Sequence, residues 1–428
     1  MFSSNFTGGL KLPSPKSAKV PGVDQVPLPE QATVLLKQHQ GEPCFLQVKK
    51  GTTVKQGSIL AQSSQTAVHS PVSGKVARIE TNYMLPNAQT TTAVIIDSDS
   101  AGATDYAYLQ DEYNLGRIIK AGINDAGSVT RPLMHIVQQA RTKKIKTLIV
   151  HALDELMLTG CKTYLLAQQA PAVLQGIKTL LSLTGATQAV IAVYAPVSEQ
   201  VDTTLLNQDN IQVLPVPAKH PQHKEQLLVK AVSGEEYSGD KEPEDLGLSV
   251  VNVETAFTLN HCLQDYQPQL EKFITLSASN LDSHKNLLVN IGTPLEQVLQ
   301  YAGLNPQEAA KVVSGGILTG QALSSLQLPV TKEMSQLIVF DQSQLYTPVT
   351  EACMKCGYCA EACPMRLMPF LISGYSEGGH YEMAAKNDIF SCIECGCCAY
   401  VCPAKIPMVQ WIQLGKSMLT AQRSQEHV

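Results

Sequence analysis

The chain has 428 residues, of which 44% are hydrophobic and 16% are charged, and a chain of this length and composition forms several globular domains. Its net charge of −5 gives no reason to expect a nucleic-acid partner. Twelve cysteines, eight of them in two tight runs, would be a hazard in an oxidising compartment and are typical of metal ligands in a reducing one. The N-terminal segment lacks the apolar stretch of a secretory signal, and no apolar run approaches the roughly 20 residues that cross a bilayer.

The first predicted unit covers residues 1–105. Residues 1–30 are expected to form an extended, proline-rich arm, and short strands with glycine turns follow to about residue 100. Two stretches of this region, residues 42–62 and 66–80, share the alternating pattern of a β-hairpin. The pattern resembles the barrel-sandwich hybrid of lipoyl and biotinyl domains but lacks their modification hairpin, so we expect a structural scaffold.

The periodicity changes twice in the middle of the chain. Over residues 106–245, helical segments around 132–142 and 163–183 alternate with short apolar strands. This alternation predicts an α/β domain with a mostly parallel sheet. Residues 246–335 have an α+β pattern, and their layout resembles a β-grasp module of the soluble-ligand-binding (SLBB) type.

Two cysteine runs dominate the last predicted unit, residues 336–428. The first is Cys353-x-x-Cys356-x-x-Cys359-x-x-x-Cys363-Pro364, and the second repeats it as Cys392-x-x-Cys395-x-x-Cys398-x-x-x-Cys402-Pro403. Thiolate is the softest anionic ligand that a protein offers to iron. This spacing, with proline after the fourth cysteine, is that of two 4Fe–4S clusters. The long gap between the runs predicts a helical connection, and hence a helical ferredoxin-type module.

The ligands can be divided between the two clusters by analogy. In two-cluster ferredoxins the fourth cysteine of each run ligates the other cluster. We therefore predict one cluster on Cys353, Cys356, Cys359 and Cys402, and the other on Cys392, Cys395, Cys398 and Cys363. Zinc and disulfides are the alternatives, but neither needs a third cysteine in the run and a Cys-Pro after it. The remaining cysteines are expected to be buried thiols, and they are Cys44, Cys161, Cys262 and Cys397.

Five segments of the chain carry a family resemblance. They are CMKCGYCAEACPMRLMP, CIECGCCAYVCPAKIPMVQWI, HSPVSGKV, VVNVETA and LLVNIGTPLEQVLQYAG. With them the chain resembles, over nearly its whole length, the RnfC family of the Rnf electron transport complex. The resemblance implies an α/β domain related to the flavin- and NADH-binding subunit of respiratory complex I. Subunits of that type take hydride from NADH to FMN and pass single electrons to iron–sulfur centres.

Three segments depart from the family's flavin-binding pattern. The glycine-rich loop G-x-G-G-A-G-F-P-T is replaced by AGINDAGSVTRPL, residues 121–133, although a backbone that approaches a phosphate closely needs those glycines. This loop keeps two glycines and gains five other residues, namely Gly122 and Gly127, and Asn124, Asp125, Ser128, Arg131 and Pro132. The acidic segment N-G-A-E-C-E-P becomes VHALDELMLTG, with Asp154 and Glu155 as its carboxylates. The segment Y-P-x-G-G-E-K-Q-L becomes HPQHKEQL, from His220 to Leu227.

These departures predict a retained scaffold that binds neither FMN nor NADH, since a fold alone does not guarantee function. The alternative is a modified flavin site, in which Arg131 or Lys224 replaces the glycine N–H donors. We assign no catalytic residue and no flavin-binding residue.

The sequence thus predicts an electron-transfer subunit of a membrane-associated Rnf-type or related oxidoreductase complex. It would relay single electrons through two 4Fe–4S clusters, between a soluble donor or acceptor protein and the other subunits. The expected location is cytoplasmic, peripheral at the inner face of the cell membrane through partner subunits. One alternative is a self-sufficient flavin NADH:acceptor oxidoreductase, resembling the cobalamin reductases that share this layout. Another is an adaptor whose clusters are structural or sensory.

Overall fold

The computed structural model describes residues 6–12, 20–86, 89–99, 102–110, 115–127, 130–155, 160–237, 241–279, 281, 284–346 and 348–426. Over these ranges the chain folds into a barrel-sandwich unit, an α/β unit, a mixed-sheet α+β unit and a helical unit that contains the cysteine runs. This is the multi-domain class that the sequence predicts. No helix within these ranges combines the length and the hydropathy that a membrane-crossing segment requires.

The N-terminal unit is a sandwich of two antiparallel sheets, with strand orders β2-β8-β7-β4 and β3-β5-β6. Side chains from both sheets, such as Val34, Leu60, Val68 and Ile96, share one core, because alternate residues of each strand point inward. The strands are β2 Gln31–Leu35, β3 Phe45–Leu46, β4 Thr53–Val54, β5 Ile59–Gln62, β6 Ala67–His69, β7 Gly74–Met84 and β8 Thr90–Ser98.

The α/β unit is built on a parallel sheet of order β13-β12-β11-β14, whose inner strands are buried along their length. Helices cover the sheet, and a small antiparallel hairpin of β9 and β10 precedes it. The strands are β9 Asn124–Ala126, β10 Thr130–Pro132, β11 Thr147–His151, β12 Gln188–Tyr194, β13 Ile211–Val216 and β14 Leu248–Asn252. The helices are α1 Ala107–Gln110, α2 Leu115–Ala121, α3 Leu133–Lys143, α4 Cys161–Gln168, α5 Ala170–Thr184, α6 Ala195–Ser198, α7 Thr203–Leu206, α8 Glu225–Ser233 and α9 Val253–Gln264.

Two details of this unit differ from the sequence-based expectation. The helix expected over 163–183 is two helices that meet at Gln169, because Pro171 lacks an N–H group and starts a new helix. The sheet also extends beyond the boundary predicted at residue 245. Strand β14 pairs in parallel with β11, Thr147 opposite Leu248, since its buried apolar residues complete the same core.

The third unit is a six-stranded mixed sheet of order β1-β16-β15-β19-β17-β18, with α10 packed in its core. Its edge strand β1 comes from the N-terminal arm and pairs in parallel with β16, so the arm joins the first and third units. The elements are β1 Val23–Gln25, β15 Glu271–Ala278, β16 Lys285–Asn290, α10 Leu295–Tyr301, β17 Lys311–Ser314, β18 Gln321–Ala322 and β19 Gln336–Phe340.

The C-terminal unit is helical, as the sequence predicts, and its helices α12 and α15 pack along each other. Residues 6–12 lie against it: Gly9 N donates to the carbonyl oxygen of Ala362 at 2.9 Å, and Leu10 exchanges two backbone hydrogen bonds with His220. The helices are α11 Tyr358–Glu361, α12 Pro369–Glu377, α13 Tyr381–Ala385, α14 Cys397–Val401 and α15 Met408–Glu426. Short 3-10 turns span Pro243–Leu246, Pro306–Glu308, Gln342–Gln344 and Ile389–Ser391.

Candidate iron–sulfur centres and the adjoining cleft

Two separate cavities in the C-terminal unit are lined by the cysteine runs. The outer cavity, about 330 Å³, is lined by Cys353, Cys356, Cys359 and Cys402, together with the apolar side chains of Phe370 and Ile406 among others. The first two of these cysteines are exposed and the last two are buried. Four soft thiols therefore surround one space that is open to solvent on one side.

The inner cavity, about 370 Å³, is lined by Cys363, Cys392, Cys395 and Cys398. Cys397 also lines this cavity, and its other walls are mainly apolar, with Ile372 on one helix and Ile412 on another. Cys395 and Cys398 are buried, and Cys363 and Cys392 are partly exposed. In the described residues no three Cys, His, Asp or Glu side chains surround a single-ion position; the thiols surround two larger spaces instead.

Each cavity takes three predicted ligands from one run and the fourth from the other run. The two loops are related by an offset of 39 positions, and the backbone repeats with the sequence. Equivalent residues have left-handed φ angles, at 57° and 52° for Lys355 and Glu394, and at 85° and 79° for Gly357 and Gly396. The grouping in space is the one on which the predicted ligand sets depend. The assignment of these side chains as ligands remains a prediction.

The surroundings of the thiols suit thiolate-bound iron. Burial raises the pKa of Cys359 and of Cys363, and it raises the pKa of Cys392 to about 12. Backbone N–H groups oppose this rise: Leu367 N donates to Cys363 Sγ and Glu394 N donates to Cys392 Sγ, both at 3.4 Å. Such thiols are protonated at pH 7 unless a cation favours the thiolate. The soft donors, the N–H groups and the apolar walls together fit an iron–sulfur group.

Cys397 is fully buried and lies in an apolar cluster with Phe6, Leu227 and Ile393. The prediction that it is a buried thiol is confirmed, as it is for Cys44, Cys161 and Cys262. The side chains of Cys395 and Cys397 are hydrogen-bonded to each other, and this bond lowers the pKa of Cys395 and raises that of Cys397.

The two cavities have different neighbours. The inner cavity faces the rest of the protein: His220 Nε2 donates to the carbonyl oxygen of Cys395 at 2.6 Å. Gly396 lies against the backbone of Leu318, on the loop after β17. The outer cavity instead has exposed apolar side chains beside it, with Met354 58% and Tyr358 54% exposed. The outer cavity therefore borders an exposed apolar surface.

A broad cleft of about 2100 Å³, including its open mouth, lies where the first three units meet. Its floor carries His151, Glu155, Lys162, His223 and Lys224. The Nε2 atom of His151 donates to the carbonyl oxygen of His223 at 2.8 Å, and His223 Nε2 lies 3.3 Å from Glu155 Oε1. Burial lowers the pKa of both histidines, so both rings are neutral at pH 7.

Sequence reasoning named Glu155 and Lys224 but missed His151, Lys162 and His223. The signal for His151 was available, because ligands of parallel sheets bind at the carboxyl ends of strands and His151 ends β11. The loop Ser314–Gly320 separates the floor from the inner cavity: the Thr319 hydroxyl donates to Glu155 at 3.1 Å, and Leu318 contacts Gly396.

The residues that replace the glycine-rich loop are occupied within the chain. Asp125 is 3% exposed and its carboxylate accepts hydrogen bonds from Asn252 N at 2.7 Å and Thr255 Oγ1 at 2.5 Å. Burial raises the pKa of Asp125, and these two hydrogen bonds oppose the rise. Arg131 lies 3.4 Å from Glu225. Ser128 lies outside the described residues.

Neighbouring residues of these segments also have partners in the chain. The amide oxygen of Asn124 accepts from Thr66 at 2.9 Å, which ties the loop to the barrel-sandwich unit. Gly122 has a φ of 65°, and a Cβ there would overlap the carbonyl oxygen of Ala67. Its glycine is therefore required by packing between the two units.

Comparison with known protein families assigns three parts of the chain. Residues 4–101 match the RnfC barrel sandwich hybrid domain, residues 118–261 match the Nuo51 FMN-binding domain, and residues 352–406 match a 4Fe–4S dicluster domain. Two crystal structures of an NAD+-reducing [NiFe]-hydrogenase, air-oxidised and H2-reduced, are similar over 66% and 76% of this chain and over 54% and 67% of theirs. Their identities are 17% and 16%, and both TM-scores are 0.48.

Curated relatives match along almost the whole chain. The C subunit of the ion-translocating oxidoreductase complex of Serratia proteamaculans is 31% identical over 97% of this chain and 61% of its own length. Its counterpart in Yersinia pestis (bv. Antiqua) is 31% identical over 97% of this chain and 70% of its own. The C subunit of the proton-translocating ferredoxin:NAD(+) oxidoreductase complex of Clostridium ljungdahlii is 28% identical over 96% and 93%.

The fold and the cysteine runs define a multi-domain iron–sulfur protein with a dicluster domain. The chain belongs to the RnfC family, whose members are the C subunits of ion-translocating oxidoreductase complexes. It spans about three fifths of the length of the Serratia relative. The family resemblance predicted from the sequence is confirmed.

Proposed function

We propose that this chain is an electron-transfer subunit of an Rnf-type oxidoreductase complex. The observation that carries the proposal is the pair of cavities, each lined by three predicted ligands of one run and the fourth predicted ligand of the other. Cys353, Cys356, Cys359 and Cys402 would hold one 4Fe–4S cluster, and Cys392, Cys395, Cys398 and Cys363 the other. Such clusters, when bound, take up and release single electrons.

The surroundings of the two cavities support an electron path that runs from the inner cavity to the outer cavity at the surface. The chain's own residues shield the inner cavity, through the contacts of His220 and Gly396. The outer cavity has two exposed cysteines and exposed apolar side chains nearby, which suit a partner subunit or a soluble redox protein. We propose that electrons are exchanged with that partner at the outer cavity. The chain would be peripheral at the inner face of the membrane, held there by other subunits.

A second candidate is a flavin enzyme that oxidises or reduces a nicotinamide cofactor. The match of residues 118–261 to an FMN-binding domain favours it, as does the open cleft beside the inner cavity. The loop that replaces the glycine-rich segment argues against it, because its polar side chains are already hydrogen-bonded to other residues of the chain. We therefore propose a relay that works without bound FMN.

Anaerobic purification of the full chain tests this proposal. Iron and acid-labile sulfide should each approach about eight per chain, with electron paramagnetic resonance signals from two clusters after reduction. The flavin released by acid should be far below one per chain. A reduced sample should pass electrons to a redox dye, and a protein loaded with zinc should not. Iron and sulfide contents near zero would contradict the relay, and stoichiometric FMN that NADH bleaches would favour the flavin enzyme.

A further inference from the structure

The N-terminus of helix α9 already carries an anion that belongs to the chain. Asp125 accepts hydrogen bonds from the backbone N–H of Asn252, the N-cap residue, and from the hydroxyl of Thr255 in the first turn. The side chain of Asn252 donates to the carbonyl oxygen of Ala126 at 3.0 Å and accepts from Glu254 N. Helix N-termini bind anions because their first N–H groups are unpaired and the helix dipole is positive there.

A second helix N-terminus in the same unit is occupied in the same way. Asp154 accepts from the backbone N–H groups of Lys162 and Thr163, each at 3.1 Å, and from the Thr163 hydroxyl at 2.8 Å. These groups form the first turn of α4. Asp154 is buried, so its carboxylate is a fixed part of that helix end. The donors at the ends of two helices are therefore bound by carboxylates of the chain itself.

The positive charges near Asp125 are already paired with carboxylates of the chain, so they offer little attraction to a further anion. Arg131 is opposite Asp125 in the β9–β10 hairpin, and its guanidinium also pairs with Glu225. The buried ammonium of Lys272 pairs with Glu254 at 2.5 Å. A phosphate ester that entered here would find its hydrogen-bond donors already bound to the carboxylate of Asp125. The two negative charges would also repel each other strongly, because the site is buried.

We propose that Asp125 closes the flavin-type site of this chain to phosphate esters, because its carboxylate occupies the helix position that a cofactor phosphate would need. The matched FMN-binding segment, residues 118–261, contains both Asp125 and the first two turns of α9. The inference deepens the proposed function, in which the chain works without FMN. It names the residue that excludes the cofactor phosphate.

The test is to remove the carboxylate from the full, cluster-loaded chain and to measure flavin binding by equilibrium dialysis and calorimetry. Asp125→Asn keeps an oxygen acceptor for Asn252 and removes the charge, and Asp125→Gly also opens the space. Asp209→Asn, at an exposed position of the same unit, is the control for loss of one negative charge. FMN and riboflavin are compared, since they differ only in the phosphate.

The native chain and the Asp209→Asn variant should bind neither flavin stoichiometrically. At least one Asp125 variant should bind FMN at least about tenfold more tightly than the native chain does, with riboflavin unchanged, because one like charge has been removed. Stoichiometric FMN in the native chain would overturn the inference. So would folded Asp125 variants that gain no FMN affinity, or that gain FMN and riboflavin equally.

These outcomes are separate from those of the relay itself. Iron and sulfide contents are measured on the same samples, and about eight of each would support the clusters whatever the flavin result. Folding of each variant is checked by its iron content and circular dichroism. If Asp125→Gly does not fold, Asp125→Asn decides the matter.

Discussion

Crossed ligation can be tested by pairs of cysteine substitutions whose effects are not additive. In the structure Cys402 shares the outer cavity with Cys356, although it belongs to the other run, and Cys363 lies in the inner cavity. We therefore compare Cys356→Ala/Cys402→Ala with Cys356→Ala/Cys363→Ala. Both chains lose two cysteines, so they are matched in composition.

The expected iron content follows from which cavities are damaged. A cubane that loses one of its four ligands is not retained, and each cluster contains four irons. The Cys356/Cys402 variant damages only the outer cavity and should keep about four irons per chain. The Cys356/Cys363 variant damages both cavities and should keep about none. If each run instead served one cluster, the two results would be exchanged.

Iron and sulfide analysis and electron paramagnetic resonance of anaerobic samples measure this difference. Cys44→Ala is the control, since Cys44 is a buried thiol of the barrel-sandwich unit, outside both cavities, and the variant should keep about eight irons. Four irons in the Cys356/Cys363 variant, with none in the other, would refute crossed ligation. About eight irons in both would refute these cysteines as ligands altogether.

Three further predictions concern the packing around the site. Lys332 is buried with carbonyl oxygens for partners, and burial lowers its pKa to about 8. Above that pH the unfolded chain therefore binds more protons than the folded chain does. The free energy of unfolding should consequently rise by about 3 kcal/mol between pH 8 and 10.5. Urea denaturation of Lys332→Met should lack that rise; an unchanged slope would contradict it. Lys272→Met strands the buried carboxylate of Glu254 and should lower stability by about 3–5 kcal/mol, whereas Lys272→Met/Glu254→Leu should recover part of the loss. Gly396→Ala would place a Cβ in overlap with a carbonyl oxygen, and this variant should lose the iron of the inner cavity. Gly357 has a similar φ and open space around it, so Gly357→Ala should lower the free energy of unfolding by only about 1–2 kcal/mol and keep its iron. Equal iron losses in the two variants would refute the steric argument.

Local patterns predicted the elements whose residues interact with near neighbours in sequence. The cluster module was predicted from the cysteine spacing and the proline after each run. The parallel strands at 147–151 and 188–194 were predicted from short apolar runs between helical segments. The placement of β14 did not follow. A short buried strand is compatible with either neighbouring sheet, and only pairing with β11 decides between them.

The composition of the cleft floor was also beyond the sequence. His151 and His223 are far apart in the chain, and they meet because strand β11 and the segment before α8 end at the same edge of the sheet. A lone histidine gives no sign of its neighbours. The sequence therefore showed which residues replace the flavin-binding glycines, but not which contacts those residues make.

The sequence alone determined that this is a multi-domain iron–sulfur chain of the RnfC family, because thiolate ligands at fixed short spacing leave few other uses for eight cysteines. The tertiary structure decided which thiols share a cavity and that Asp125 lies at the N-terminus of α9. Each of these depends on contacts between residues far apart in the chain, and such contacts are set by packing rather than by local pattern.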